Sequence, residues 1–183
     1  MLIESIIFVV LSAALVYLSR ASLSRPRSHG FYRFFAWEAT LLLILLNINV
    51  WFNTPLAWHQ LISWLLLIIS IYPVVHGMYL LRAIGRPDNN RAETELMGFE
   101  KTTMLVTKGV YRYIRHPLYS SLFFLTWGVF FKDPSWWGGL LALAATIFLT
   151  ATAKTEEGEN IRFFGPVYQT YMQQTKMFVP FIF

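Results

Sequence analysis

Long apolar runs separated by shorter polar segments recur along this chain, and they constrain the fold more than any other feature. The runs lie at residues 2–18, 34–52, 58–81, 118–131 and 135–153. A helix needs roughly 20 apolar residues to cross a bilayer, so the run at 118–131 is short for a straight crossing. Only 14% of the residues are charged, against about 25% in soluble domains. The sequence therefore predicts an all-α integral membrane protein with five transmembrane helices.

The last two apolar runs are expected to form a C-terminal helical hairpin. The polar tetrapeptide KDPS at 132–135 is typical of a tight turn between them. After the hairpin, residues 156–174 are predicted as an interfacial C-terminal helix broken at Gly165-Pro166. We interpret 1–183 as a single membrane-embedded domain, with three N-terminal helices in 1–81 and a loop, the hairpin and a tail in 82–183.

The distribution of basic residues predicts the orientation in the membrane. With five crossings, 14 of the 15 lysine and arginine residues fall on one side, and Lys132 falls on the other. Basic loops face the cytoplasm, so the N-terminus is expected outside and the 82–115 loop and the tail inside, in the plasma (inner) membrane of a bacterium. Membrane topology also explains the net charge of +5, so no nucleic-acid partner is expected. The oligomeric state is not indicated.

The chain has no cysteine, which excludes disulfides, a thiolate nucleophile and cysteine-ligated metals. The four histidines are scattered along the sequence, so no metal site is expected. Signatures of soluble enzymes, such as a phosphate-binding loop or a nucleophile elbow, are also missing. A nucleotide-like cofactor would have to bind in a pocket formed by membrane helices, the long loop and the tail.

The sequence RHPLY at residues 115–119 stands at the start of the fourth apolar run. Pro117 suits the first turn of a helix, where its missing N–H is not needed. Ionisable groups at the mouth of a membrane helix are costly, which makes Arg115 and His116 functional candidates. The alternative is that both side chains simply anchor the helix at the lipid headgroups.

Glu156-Glu157 lies at the end of the fifth run, on the same predicted side as residues 115–119. A carboxylate buried there needs a partner or a ligand cation. An ion pair with Arg115 would satisfy it without excluding a ligand role. We take Arg115, His116 and Glu157 as candidate catalytic residues.

Two motifs carry a resemblance to a known family. The first is LVT-x-GVY-x-x-x-RHP-x-Y at residues 105–119, and the second combines Glu156-Glu157 with FG-x-x-Y-x-x-Y at 164–171 and Pro180. Together they resemble the isoprenylcysteine carboxyl methyltransferase family. Phospholipid methyltransferases and bacterial thiol methyltransferases share parts of both motifs. The resemblance covers residues 95–183.

The resemblance implies S-adenosylmethionine as the methyl donor and a lipophilic small molecule or lipid as the acceptor. The cofactor-binding residues that it implies are Thr103, Met104, Leu105, Val106, Tyr111, His116, Pro117, Leu118, Tyr119 and Glu156. The cofactor combines a sulfonium cation with a flat adenine, and carboxylates and aromatic rings suit both. Methyl transfer is an in-line displacement that mostly needs positioning in a dry site.

One position departs from the family pattern. The prenylcysteine enzymes resemble each other in an arginine that binds the substrate carboxylate. That arginine lies four residues before the glutamate that aligns with Glu156, and this chain has Thr152 at the corresponding position. Lys154 is nearby but has a different geometry. Thr152 and Lys154 are the candidate substrate residues, and the acceptor atom is left open between a carboxylate, a thiol, an amine and a hydroxyl.

Two other functions fit part of the sequence. Nicotinamide-dependent sterol reductases resemble this family in their C-terminal half, but they are much longer. A non-enzymatic membrane scaffold or transporter subunit would explain the apolar runs and the charge bias. A scaffold or transporter subunit would not explain why the two motifs converge on one side of the membrane.

Overall fold

Helices dominate the computed structural model of the chain, which describes residues 2–88 and 101–183. The α-helices are α1 Leu2–Leu23, α2 His29–Leu46, α3 Trp58–Ala83, α4 Pro117–Phe130, α5 Trp136–Phe164 and α6 Pro166–Gln174. Short 3₁₀ helices lie at Ile48–Val50 and Gly109–Arg112. No β-strand occurs within the two described ranges. The all-α prediction is confirmed.

Three helices in the described part of the chain, α1, α3 and α5, are long and apolar enough to cross a membrane. This makes the chain an integral membrane protein. Helix α2 has 18 residues but includes Arg33 and Glu38, and α4 has only 14 residues. Each predicted span thus corresponds to a helix, and the count of five crossings stays a prediction.

The helices pack side by side in an order that differs from their order in the sequence. Helix α1 packs on α2, α2 on α5, α5 on α4, and α4 on α3. Helix α5 therefore occupies the centre between α2 and α4, and α1 lies at the periphery, where Val9, Val10 and Leu18 are largely exposed. Because sequential helices run in opposite directions, the starts of α2 and α4 and the ends of α3 and α5 meet at one end of the bundle.

Helix α2 lies about one turn and a half earlier in the sequence than the predicted span at 34–52. Its start is fixed by Ser28, whose Oγ accepts a hydrogen bond from the Phe31 N–H at 3.1 Å, an N-cap contact. Its end is fixed by Asn47, whose Nδ2 donates to the carbonyl of Val129 in α4 at 3.0 Å. The early start carries His29 to the end of the bundle where α4 begins.

At the opposite end, Lys132 fixes the turn between α4 and α5. Its side chain is 1% exposed, and its Nζ donates to Gln60 Oε1 at 3.0 Å and lies 3.2 Å from the centre of the Trp64 ring. Such a contact is a cation–π interaction. Burial lowers the pKa of the Lys132 ammonium. The hairpin turn is thereby attached to α3.

Helix α5 ends at Gly165, whose φ of +66° suits a residue without a side chain. The predicted break at Gly165-Pro166 is confirmed, and α6 begins directly after it. The helical residues 156–164 belong to α5, which therefore continues well past the predicted end of the fifth span at 153.

The segment after α6 pairs with the segment before α4. The Arg115 N–H donates to the Lys176 carbonyl at 2.8 Å, and the Lys176 N–H donates to the Tyr113 carbonyl at 2.9 Å. Phe178 follows with no exposed surface, and its carbonyl accepts from Ser120 Oγ at 2.7 Å. The tail is thus docked on the bundle next to the RHPLY sequence.

Candidate functional site

A cavity lies at the end of the bundle where α3 and α5 end and α4 begins. The cavity is partly open to solvent. The lining residues are Leu81, Thr102, Leu105, Val106, Tyr111, Arg115, His116, Pro117, Leu118, Tyr119, Glu156, Asn160, Phe164, Tyr168 and Tyr171.

Most of the predicted cofactor-binding residues come together in this cavity. Those that line it are Leu105, Val106, Tyr111, His116, Pro117, Leu118, Tyr119 and Glu156. Thr103 and Met104 are not among the lining residues. The hydroxyl of Thr103 donates to the carbonyl of Arg86 at 2.9 Å, and Met104 is 45% exposed.

Arg115 joins the three elements that surround the cavity. Its Nε donates to Glu157 Oε1 at 2.7 Å, which realises the ion pair considered from the sequence. Its Nη1 donates to the carbonyl of Met172 at 3.2 Å and, by a short hydrogen bond, to that of Thr175. Arg115 thus ties α5 and the tail to the start of α4, and Glu157 contributes through this pair.

His116 lies between two carboxylates. Its Nε2 is 3.4 Å from Glu157 Oε1, and its Nδ1 is 3.9 Å from Glu156 Oε2. The imidazole stacks on the ring of Tyr119, with centroids 5.5 Å apart and planes at 19°. The Tyr119 hydroxyl in turn interacts with the Glu156 carboxylate. Because the side chain of His116 is only 3% exposed, these neighbours define its orientation.

The two candidate substrate residues lie away from the cavity lining. Thr152 is fully buried in α5, and its hydroxyl donates to the carbonyl of Phe148 in the same helix at 2.8 Å. Lys154 is exposed. A role for either residue in binding the acceptor stays a prediction.

Several lining residues were not assigned to the site from the sequence, namely Leu81, Thr102, Asn160, Phe164, Tyr168 and Tyr171. Asn160 lies four residues after Glu156, so the helix period alone places both on one face. Tyr168 and Tyr171 belong to the second motif, which carried the resemblance. Leu81 and Thr102 carry no comparable signal, because apolar helix ends and loop threonines are common.

The two motif tyrosines are held by hydrogen bonds and by burial. The Tyr171 hydroxyl donates to the Tyr111 carbonyl at 2.7 Å, and Asn160 Nδ2 donates to the Tyr168 hydroxyl at 3.5 Å. Burial raises the pKa of both phenols above its usual range, and for Tyr168 the charge of Glu156 adds to the effect. Both rings are therefore neutral aromatic surfaces at physiological pH.

A second ion pair lies beside the cavity. The Nδ1 of His29, at the start of α2, is 2.6 Å from Glu159 Oε2 in α5, and the His29 side chain is 1% exposed. No sequence signal singles out His29, since the contact depends on the early start of α2. Within the described residues, no group of three or more histidine, cysteine, aspartate and glutamate side chains is placed to hold a metal ion.

The sequence that forms this cavity matches a known family. The chain belongs to the phospholipid methyltransferase family, whose family model matches residues 58–167. The match takes in α3, α4, α5 and the Gly165 break, and it confirms at family level the resemblance carried by the motifs.

Two characterised relatives are similar over part of the chain. One is the methanethiol S-methyltransferase of Crocosphaera subtropica, 27% identical over 124 residues, covering 66% of this chain and 44% of that protein. Another is the protein-S-isoprenylcysteine O-methyltransferase of Schizosaccharomyces pombe, 32% identical over 83 residues, covering 45% of this chain and 35% of that protein. The matches thus span less than half the length of either relative. No solved structure matches the chain significantly.

Proposed function

We propose that the chain is a methyltransferase that binds S-adenosylmethionine in the cavity and methylates a small lipophilic acceptor. The observation that supports this most is the convergence of the two motifs. Residues 105–119 and 156–171 are distant in sequence, yet they line one cavity that combines aromatic rings with a carboxylate. The membership of the chain in a methyltransferase family supports the same reaction class.

The side chains of the cavity fit the cofactor's chemistry. The rings of Tyr111, Tyr119 and Tyr168 offer aromatic faces to an adenine and to a sulfonium. Glu156 offers carboxylate oxygens to ribose hydroxyls or to the amino group, and Asn160 adds an amide one turn further along α5. When bound, the cofactor supplies an electrophilic methyl group.

The remaining lining residues position the reactants and exclude water. Leu105, Val106, Pro117 and Leu118 provide an apolar wall, and a dry site strengthens the electrostatic interactions inside it. Arg115 and Glu157 hold the two motifs together by their 2.7 Å ion pair. Thr103 and Met104 would contact the cofactor only if it extended beyond the lining residues.

We place the cavity at the cytoplasmic face and the N-terminus outside. Of the lysine and arginine residues within 2–88 and 101–183, all but Lys132 lie in segments at the end of the bundle that holds the cavity, as expected for the cytoplasmic side. The cofactor would then reach the cavity from the cytoplasm, while a lipophilic acceptor would arrive from the bilayer.

Calorimetric titration of the detergent-purified protein with S-adenosylhomocysteine tests the proposal, with NADPH as the comparison. We expect micromolar binding of S-adenosylhomocysteine and none of NADPH. Binding of NADPH alone would favour a reductase. Binding of neither ligand to folded protein would favour a membrane scaffold.

Replacing Glu156 by Gln should weaken the binding of S-adenosylhomocysteine by about 10- to 100-fold, since a hydrogen bond to a charged group contributes roughly 1.5–3 kcal/mol. The protein should still insert and fold, because Arg115 keeps its pair with Glu157. The control is Glu4→Gln, which removes a carboxylate at the opposite end of the bundle, where it bonds Asn49 at 2.6 Å. Equal affinity in Glu156→Gln and in the unmodified protein would contradict the assigned role.

A further inference from the structure

Residues 178–183 form a closed turn that begins at the docked Phe178. The Phe178 N–H donates to the carbonyl of Phe183 at 2.8 Å, and the Phe183 N–H donates to the carbonyl of Val179 at 3.1 Å. Phe181, inside the turn, has a φ of +66°, a conformation that bulky residues rarely adopt. The exposure of the side chains in this turn therefore follows from a defined backbone shape.

Two large apolar side chains of the turn are directed away from the protein. Phe181 is 81% exposed and Ile182 is 78% exposed. The ring of Phe181 lies beside the ring of Tyr113, with centroids 6.0 Å apart, and Tyr113 is itself about half exposed. We call Tyr113, Phe181 and Ile182 the tail patch. An exposed apolar patch of this kind marks a contact with another protein or with a membrane.

The contacts of Phe178 place the turn at the boundary of the bilayer. Phe178 belongs to a buried cluster with Leu149 and Ala153 of α5, and its ring stacks on Phe123 of α4 with centroids 6.2 Å apart. These three helix residues lie in the apolar runs 118–131 and 135–153, near the ends where the runs meet the polar segments. The tail patch lies beside this level, where aromatic side chains are favoured.

Two cations lie next to the tail patch. Arg112 directly precedes Tyr113, and the Lys176 N–H donates to the Tyr113 carbonyl at 2.9 Å. Both basic side chains are exposed, and no carboxylate within 2–88 and 101–183 lies within 4.0 Å of either. Exposed cations beside an apolar patch complement the anionic headgroups of a lipid surface, which attract lysine and arginine.

We propose that the tail patch inserts into the bilayer at the cavity end of the bundle, where Arg112 and Lys176 bind the headgroups of anionic lipids. This contact does not depend on the proposed methyl transfer. It bears on the cavity all the same, because the carbonyls of Met172 and Thr175 accept hydrogen bonds from Arg115. A bilayer that holds the turn also holds the segment on which Arg115 rests.

Spin labelling measures the depth of the turn, since the chain has no cysteine of its own. The whole chain with Ile182→Cys carries a nitroxide and is placed in vesicles of phosphatidylcholine and phosphatidylglycerol in equal parts. We expect the label to collide more often with oxygen, which dissolves in hydrocarbon, than with a water-soluble nickel chelate. Gln173→Cys, exposed on α6, is the control and should collide mainly with the chelate. Equal access of the chelate to both labels would overturn the proposal.

The lipid charge tests the role of the two cations. In vesicles of phosphatidylcholine alone, the ratio of immersed to released Ile182 label should fall by up to roughly 30-fold, the factor for two cations near an anionic surface. Arg112→Gln with Lys176→Gln should remove this difference between the two kinds of vesicle. Arg20→Gln with Arg82→Gln, exposed at the ends of α1 and α3, should retain it. Equal effects of the two double variants would contradict headgroup binding by Arg112 and Lys176.

A second copy of the chain is the other partner that would cover the tail patch. Contact between two copies would bring their Ile182 labels together and broaden the spectrum by dipolar coupling. We expect the same line width in fully labelled protein and in labelled protein diluted with the unlabelled chain. Broadening that disappears on dilution would identify the tail patch as a protein interface and would overturn the lipid contact.

Discussion

Single side chains around the cavity are held by partners from distant parts of the chain. Tyr171 donates to the Tyr111 carbonyl, 60 residues away in sequence, and Arg115 pairs with Glu157, 42 residues away. Each of these bonds satisfies a polar group that would be costly to bury alone. The shape of the cavity therefore depends on hydrogen bonds as well as on apolar packing.

The Tyr168 hydroxyl should make the stability of the protein sensitive to alkali. Its folded-state pKa is raised above the ordinary value by burial, so the neutral phenol stabilises the fold fully below about pH 10 and less as the pH rises further. Tyr168→Phe removes this group, and we expect its melting temperature in detergent to fall less between pH 9 and 11 (roughly the range of tyrosine ionisation).

The half-exposed Tyr113 provides the control for this measurement. Tyr113→Phe should keep the alkaline decline of the unmodified protein. If Tyr168→Phe declines as steeply as Tyr113→Phe, ionisation of Tyr168 does not limit stability. Part of the decline should remain in either variant, because burial also raises the pKa of Tyr171.

At the scale of helices, the sequence predicted well those helix ends that a nearby residue or turn marks. Helix α4 begins at Pro117 and ends at Phe130, close to the predicted 118–131, because a proline and a polar turn mark its two ends. Helix α2 was predicted five residues late because the apolar pattern begins after the Ser28 cap. The motif residues were found because both motifs flank predicted spans. His29 was missed because its contact with Glu159 requires the correct start of α2 and the correct packing partner.

The contact between α3 and the start of α4 depends on Gly77. A Cβ atom at this position would lie 2.9 Å from Pro117 Cβ and 3.2 Å from Leu118 Cδ1. Gly77→Ala should therefore destabilise the protein by about 1–3 kcal/mol, as overpacking usually does, and should weaken the binding of S-adenosylhomocysteine, since Pro117 and Leu118 line the cavity. Thermal unfolding and calorimetry would measure the two effects.

Gly158 in α5 is the matched control, because a Cβ atom there would meet nothing within 4 Å. Gly158→Ala should be neutral or should stabilise the helix by about 0.5–1 kcal/mol. Similar behaviour of the two alanine variants would mean that the close approach of α3 and α4 has no effect on the cavity.

At the scale of the whole molecule, the two ends of the bundle differ in chemistry. One end holds the cavity and its ion pairs, and the other holds Lys132 enclosed by Gln60 and Trp64. The charge bias of the loops predicted this division. The sequence did not predict that Lys132 would be buried, because a cation in a tight turn is ordinarily solvated.

Cysteine labelling in intact cells can test the proposed orientation, since the chain has no cysteine of its own. Asn53→Cys, at an exposed position on the Lys132 side, should react with a membrane-impermeant thiol reagent. Lys108→Cys, exposed near the cavity, should react only after the cells are permeabilised. The reverse pattern of labelling would place the cavity outside the cell.

The pairing of residues 113–116 with 176–177 gives the protein a weak point that the helices do not share. A few hydrogen bonds and the burial of Phe178 hold this tail in place, whereas α2, α4 and α5 are packed along much of their length. Gentle heating or limited proteolysis would release the tail while the helices persist. The proposed cofactor site would then be lost before the helices unfold, so a preparation with an intact circular dichroism spectrum could already have lost the binding of S-adenosylhomocysteine that we propose.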